Sequence, residues 1–145
     1  MMAVRGIRRE GMTFVVTWNK QIERAIANAP TEALNRLAEE TAAEAIRRSP
    51  FKTGTNRRSI QWDSPRGGER RIFTTSGYGG FLEIGTGLYG PKKKRIVPKT
   101  KKALWWPGAR HPVASVAGRP ATPYMRPALE DVKRRAAAIL KDLIK

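Results

Sequence analysis

From Asn19 onward, Ile22, Ala25, Ile26 and Ala29 recur at helical spacing, and Asn19 is placed to cap the start of that helix. Pro30 should end or kink it, because proline lacks an amide donor and disfavours helical geometry in the residue before it. Thr31 can cap a second helical segment with Glu32 near its positive end. Leu34, Leu37, Ala38, Thr41, Ala42, Ala45 and Ile46 then make one continuous apolar face that stops near Ser49-Pro50. The segment from Met125 to Lys145 is also helical, with Ala128, Leu129, Val132, Ala136, Ile139, Leu140 and Leu143 as its stripe. Strand patterns lie elsewhere: Met12 to Trp18 is β-branched and aromatic, and Arg58 to Trp62 and Arg70 to Thr75 flank the turn-prone stretch from Asp63 to Gly68. Further candidate strands are Arg95 to Val97, Ala103 to Trp106 and Val113 to Val116, with Pro107-Gly108 as a turn. Strands joined so closely must pair antiparallel, since a parallel crossover needs about a dozen residues.

These elements predict an α+β fold. A mostly antiparallel β-sheet is packed by a long N-terminal helix, kinked or split near Pro30, and by a C-terminal helix. Residues 1–145 are expected to form a single domain, with 1–11 as a flexible N-terminal arm and 88–120 as a basic hairpin or extended loop. At 145 residues and 40% hydrophobic content, the chain is large enough to bury roughly 68–70% of its unfolded surface. No apolar run approaches the ~18–20 residues needed to cross a bilayer, and the basic start of the chain lacks a secretory apolar region, so a soluble protein is expected.

Composition narrows the chemistry. With 0 cysteines there is no disulfide, thiolate nucleophile or cysteine-based zinc site, and a reducing cytoplasm is the default compartment. The single histidine, His111, lies between Arg110 and Pro112 and reads as a solvated loop residue, since one imidazole cannot build a multi-histidine metal site. Charge is the strongest signal: 29 Lys+Arg stand against 12 Asp+Glu, a formal +17 that favours an anionic partner. Seven bases and no acid occupy Lys92 to Lys102, a second cluster comprises Arg57, Arg58, Arg66, Arg70 and Arg71, and Glu32, Glu39, Glu40 and Glu44 make one helix more acidic than the remainder.

No catalytic motif accompanies this charge. Outside the helices the acids Glu10, Asp63, Glu69 and Glu83 are scattered, which gives no carboxylate pair for glycoside chemistry. There is no nucleophile elbow and no phosphate-binding loop signature; Gly77-Tyr78-Gly79-Gly80 lacks the following lysine and reads as a turn. No enzyme activity, cofactor or metal is expected. Glu83 is the acid that stands apart, set within Phe81-Leu82-Glu83-Ile84-Gly85-Thr86-Gly87. In an extended segment it would share one side with Phe81 while Leu82 and Ile84 face the other. A carboxylate so placed needs an arginine or backbone donors, with Arg57 or Arg126 as reasonable partners, and a structural ion pair is the plainer reading than catalysis.

Three segments carry a further signal. Ser49-Pro50 closes a helix and leads into Thr53-Gly54-Thr55-Asn56-Arg57-Arg58-Ser59-Ile60; Tyr78 precedes Phe81-Leu82-Glu83-Ile84-Gly85-Thr86; and Ala121-Thr122-Pro123-Tyr124-Met125-Arg126-Pro127-Ala128 opens the last helix. In order and spacing this resembles the small head-to-tail joining proteins of tailed bacteriophages, the neck, tail-completion or tail-component proteins, over roughly residues 20 to 145. Two positions depart from that pattern: Asn56 stands where leucine is usual after Thr-Gly, and Tyr124 where phenylalanine is usual, adding a hydroxyl at an expected wet edge. Gly54, Gly85 and Gly87 suit sharp reversals, and Pro123 and Pro127 restrict the approach to the last helix.

The resemblance implies a virion protein without catalytic task, assembled in the bacterial host cytoplasm. Copies would form a ring, a hexamer or dodecamer, between the adaptor or head-closure proteins and the tail-terminator proteins, with genomic DNA passing through the lumen. It implies interface or structural roles for Thr53, Gly54, Arg57, Glu83, Gly85, Thr86, Pro123, Tyr124, Arg126 and Pro127. Lys92, Lys93, Lys94 and Arg95, followed by Trp105 and Trp106, read either as a solvated hairpin or as an arm that meets an acidic neighbouring subunit or DNA, with the tryptophans as anchors. A basic nucleic-acid-binding protein is the alternative, since +17 suits phosphate neutralisation, although no helix-turn-helix, zinc finger or aromatic sheet signature is present.

Overall fold

The computed structural model describes residues 2–6, 14–16, 18–51 and 54–144, the first two segments as backbone. Its order is β1 (Met2–Gly6), β2 (Phe14–Val16), α1 (Lys20–Asn28), α2 (Pro30–Arg48), α3 (Thr55–Ser59), β3 (Ile60–Arg66), β4 (Glu69–Thr74), α4 (Gly79–Ile84), a 3-10 turn over Gly87–Tyr89, and α5 (Met125–Ile139). The class is α+β. The chain divides into two compact units, residues 1–80 with 123–145, and residues 81–122.

In the first unit a four-stranded sheet runs β2-β1-β4-β3. The outer pairs are antiparallel, Met2 opposite Val16 and Ile60 opposite Thr74, while β1 and β4 pair in parallel, Val4 opposite Arg70. The parallel pair is possible because α1 and α2 fill the long connection between its strands. Residues 2–6 are thus strand where a flexible arm was expected, their backbone engaged on both sides. Of the predicted first strand, Phe14–Val16 forms β2, while residues 12, 13 and 17 lie outside the described set.

The predicted helices form with local corrections. Asn19 caps α1, its Oδ1 accepting from the Ile22 amide at 3.0 Å. The break falls at Ala29, and Pro30 rather than a residue after Thr31 opens α2, since proline's fixed φ and missing amide suit the first helical position. Ala33, Leu34, Leu37, Ala38, Thr41, Ala42 and Ala45 are buried on α2, whereas Ile46, expected on that face, is exposed. On α5 the buried face is Met125, Ala128, Leu129, Val132 and Ala136. The alanines let α2 and α5 pack closely, and α2 also packs against β3 and β4. The last helix closes at Ile139, short of the expected Lys145; Leu140 is buried, and a following turn presents Asp142 to Arg36, whose Nη2 donates to it at 2.9 Å.

The middle of the chain departs most from expectation. Residues 55–59 form a short helix ahead of β3, and β3 continues through Pro65 to Arg66, leaving only Gly67-Gly68 as the turn. Proline is tolerated there because β3 is an edge strand, and its register against β4 shifts between Asp63 and Arg66. Arg70 of β4 is buried and donates to neutral acceptors: Asn35 Oδ1 at 2.6 Å, Ser64 Oγ at 2.9 Å and the Glu69 carbonyl at 2.9 Å.

The second unit has no ladder of its own. The three strands expected between Arg95 and Val116 reduce to isolated antiparallel bridges, Ile96 with Val116 and Leu104 with Val113. Prolines at 98, 107 and 112 interrupt the donor rows that a ladder needs. Among the described residues, no helix is long and apolar enough to cross a membrane.

Candidate interaction surface

In the first unit, Gly54 adopts a left-handed conformation (φ 78°) directly before α3, and Thr53 lies outside the described residues. Arg57 donates from Nε to the Ser49 carbonyl at 2.8 Å, and its guanidinium carbon lies 4.9 Å from the centre of the Phe51 ring. That arginine therefore ties the α2 terminus to the loop that follows it.

Asn56 is the centre of a buried polar node. Its Nδ2 donates to Ser49 Oγ at 2.9 Å, and its Oδ1 accepts from Thr74 Oγ1 at 2.9 Å and from Ser76 Oγ at 2.8 Å. Ser59 Oγ lies 2.6 Å from Thr74 Oγ1, and Ser76 Oγ accepts from the Gly79 amide at 3.1 Å. Tyr124 is wholly buried, and its hydroxyl donates to the Gly79 carbonyl at 3.1 Å, so the wet edge expected for it is a dry, hydrogen-bonded interior. Both departures from the phage pattern thus converge on Gly79. A Cβ there would stand 2.6 Å from the Tyr124 hydroxyl and 2.8 Å from Asn56 Oδ1, and against the Thr74 methyl. Ser49, Ser59, Thr74 and Ser76 were not singled out from sequence; the signal was available in Thr74-Thr75-Ser76, a hydroxyl run at the end of an apolar strand. Pro123 is exposed just before α5, and Arg126 and Pro127 sit in its first turn.

In the second unit the segment around Glu83 is helical, not extended, so the alternation of Phe81 and Glu83 against Leu82 and Ile84 does not apply. Phe81 is exposed while Glu83 is buried. The helix stops at Gly85, whose amide bonds the Phe81 carbonyl at 2.9 Å and whose φ is 80°. Thr86 then pairs twice with Arg119: its amide donates to the Arg119 carbonyl at 2.9 Å, and its Oγ1 accepts from the Arg119 amide at 2.9 Å. The Leu88 amide donates to the Ala117 carbonyl at 2.8 Å, and the Thr122 amide to the Leu82 carbonyl at 2.8 Å. The Phe81–Gly87 motif and the start of the Ala121–Ala128 motif are therefore hydrogen-bonded neighbours.

Beyond this frame the unit is basic and apolar at its surface. Lys92, Lys93, Lys94 and Arg95 are exposed; Lys93 has a positive φ of 51°, and Arg95 donates to Ser115 Oγ at 2.9 Å. Trp105 and Trp106 are 62% and 47% exposed. Leu88, Tyr89, Ile96 and Val97, which were not singled out from sequence, are also exposed. Among the described residues, seven of the ten exposed large apolar side chains belong to residues 81–122.

The chain matches no family model, no curated protein and no solved structure.

Six of the described carboxylates pair with arginines of the same chain. Arg36 pairs with Glu32 and Asp142, Arg47 and Arg48 with Glu44, Arg135 with Asp131, Glu40 and Glu44, and Arg71 with Asp63. The Arg47 hydrogen bond holds the Glu44 carboxyl below its ordinary value, as Arg135 does for Asp131 and Arg36 for Asp142.

Proposed function

We propose that this chain is a structural virion protein that forms a ring of identical copies at the head-tail junction of a tailed bacteriophage. The ring joins the portal-adaptor stack to the tail and lets genomic DNA pass through its lumen; it makes and breaks no bond and uses no cofactor. Its partners are its own copies, in sixes or twelves, and the adaptor or head-closure and tail-terminator proteins. It assembles in the bacterial host cytoplasm and resides in the virion.

The observation that carries this reading is the crowding of exposed apolar side chains onto residues 81–122, on a loop frame held by the Thr86–Arg119 and Leu88–Ala117 hydrogen bonds. Apolar surface concentrated in this way marks a docking face. Aromatic side chains are the residue types that anchor such interfaces. The order of the three motifs is what favours the head-tail junction as its location.

Mass photometry and negative-stain images of the purified full chain test the proposal. A discrete closed ring supports it. A chain that remains monomeric at every concentration, and is also missing from the neck of native particles probed with a specific antibody, overturns it.

A further inference from the structure

The second unit ends in a paired device. Between the bridges Ile96–Val116 and Leu104–Val113, one side carries a loop with Lys99, Lys101 and Lys102; beyond the second bridge, the tip carries Trp105, Trp106 and Arg110. All six side chains are exposed. Leu104 joins the lysine loop to the tip, so the cations and the two indoles occupy consecutive turns of the chain.

We infer that this tip binds an unpaired nucleic-acid strand, the cations neutralising phosphates while bases stack on Trp105 and Trp106. At the tip itself charge favours this occupant over a second copy of the chain, whose contacts in a ring would fall to Phe81, Leu88, Tyr89, Ile96 and Val97. Residues 81–122 hold nine Lys+Arg and one acid, a net of +8, and the remaining residues hold twenty Lys+Arg and eleven acids, a net of +9. A second copy therefore meets the tip with like charge, and its carboxylates at 32, 40, 44, 131 and 142 are already engaged by arginines of their own chain. None of Lys99, Lys101 and Lys102 makes an ion pair with a described carboxylate. The position of the indoles favours nucleic acid over a lipid surface: Lys101 and Lys102 precede them and Arg110 follows within a few residues, so charge and aromatic face are offered together. A strand with exposed bases presents phosphates and π-faces in the same alternation, whereas a duplex keeps its bases stacked inside. This inference does not require the ring.

Binding of the full chain to a labelled oligothymidylate of about 16 nucleotides, the upper end of the site lengths of single-strand-binding folds, tests it. Comparison ligands are a duplex of equal length, inorganic polyphosphate, and vesicles of phosphatidylserine and phosphatidylcholine. The oligothymidylate should bind more tightly than all three. Trp105→Leu and Trp106→Leu should each weaken it about tenfold, while Trp→Phe at either position retains most affinity, since a smaller ring still stacks. Replacing Lys99, Lys101 and Lys102 by glutamine should lower the salt slope by about two, at roughly 0.7 per phosphate contact on a single strand. Circular dichroism checks that each variant is folded. Equal binding of polyphosphate, unchanged affinity in the folded leucine variants, or capture by vesicles without capture of the oligonucleotide overturns the inference. Strand binding by a chain that forms no ring would leave it standing while removing the junction role.

Discussion

The Tyr124 hydroxyl donates to the Gly79 carbonyl at 3.1 Å, across 45 residues of sequence and inside a fully buried site. This bond fixes the start of α5 to the start of α4, two places where the chain changes direction. Tyr124→Phe removes the donor and leaves a buried carbonyl short of it, so urea unfolding should show a loss of about 1–2 kcal/mol. Gly79→Ala should lose a similar amount by overpacking, about 1–3 kcal/mol. Because the added methyl collides with the hydroxyl that Tyr124→Phe deletes, the double variant should be less destabilised than the sum of the singles. Additive losses would show that the two groups do not share the site.

The Asn56 node makes a prediction in the opposite chemical direction. Asn56→Leu installs the residue usual in the resembling family, yet it strips partners from the Ser49, Thr74 and Ser76 hydroxyls. A leucine is stable only where its neighbours are apolar, and here they are hydroxyls. Chemical denaturation should show a loss of about 2–3 kcal/mol, most of it the desolvation of buried groups left unpaired. An unchanged midpoint would mean that water replaces the amide.

How much of this was legible in sequence follows from range. The helices over 20–28, 30–48 and 125–139 announce themselves because their apolar period is local and their breaks are Pro30 and Ser49-Pro50. The helix over Phe81–Ile84 is not legible, since four residues are too few for a period and the glycines before it disfavour a helix in isolation. The polar node was not legible either: Asn56, Thr74 and Tyr124 are far apart in the chain, and only the fold reveals that one glycine receives all three. The basic and tryptophan-bearing loop was read from composition, but its partner choice needed the finding that most helix carboxylates already have arginine partners within the chain.

Those ion pairs set the acid limb of stability. Asp142, Asp131 and Glu44 have folded-state pKa values depressed below their ordinary ones by Arg36, Arg135 and Arg47 respectively. A depressed carboxyl contributes stability above its unfolded pKa and loses it as pH falls through the folded value. The urea midpoint should therefore stay level from pH 7 to about 5 and decline below about 4, where ordinary carboxyls titrate. Asp142→Asn should make that decline shallower. High salt should reduce it too, because these pairs are largely solvent-facing and easily screened. A decline equally steep in Asp142→Asn would assign the acid sensitivity to other groups.

The frame of residues 81–122 depends on a backbone approach that only glycine permits. Gly87 (φ 60°) and Gly118 (φ 94°) face each other, and a Cβ on Gly118 would fall on the Thr86 carbonyl, 2.6 Å from its carbon and 2.9 Å from the Gly87 Cα. Backbone cannot yield as a flexible side chain can, and the positive φ adds its own penalty of about 1 kcal/mol or more for any other residue. Gly118→Ala should therefore break the Thr86–Arg119 and Leu88–Ala117 hydrogen bonds while sparing the α2–α5 core, which belongs to the other unit. Hydrogen exchange should accelerate at the Thr86, Leu88 and Arg119 amides and stay unchanged along α2. If the exposed apolar side chains act as an interface only when this frame is intact, the same variant should fail to form rings at concentrations where the parent chain does. A variant that assembles normally despite fast exchange at those amides would separate the interface from the frame and return the assembly role to the first unit.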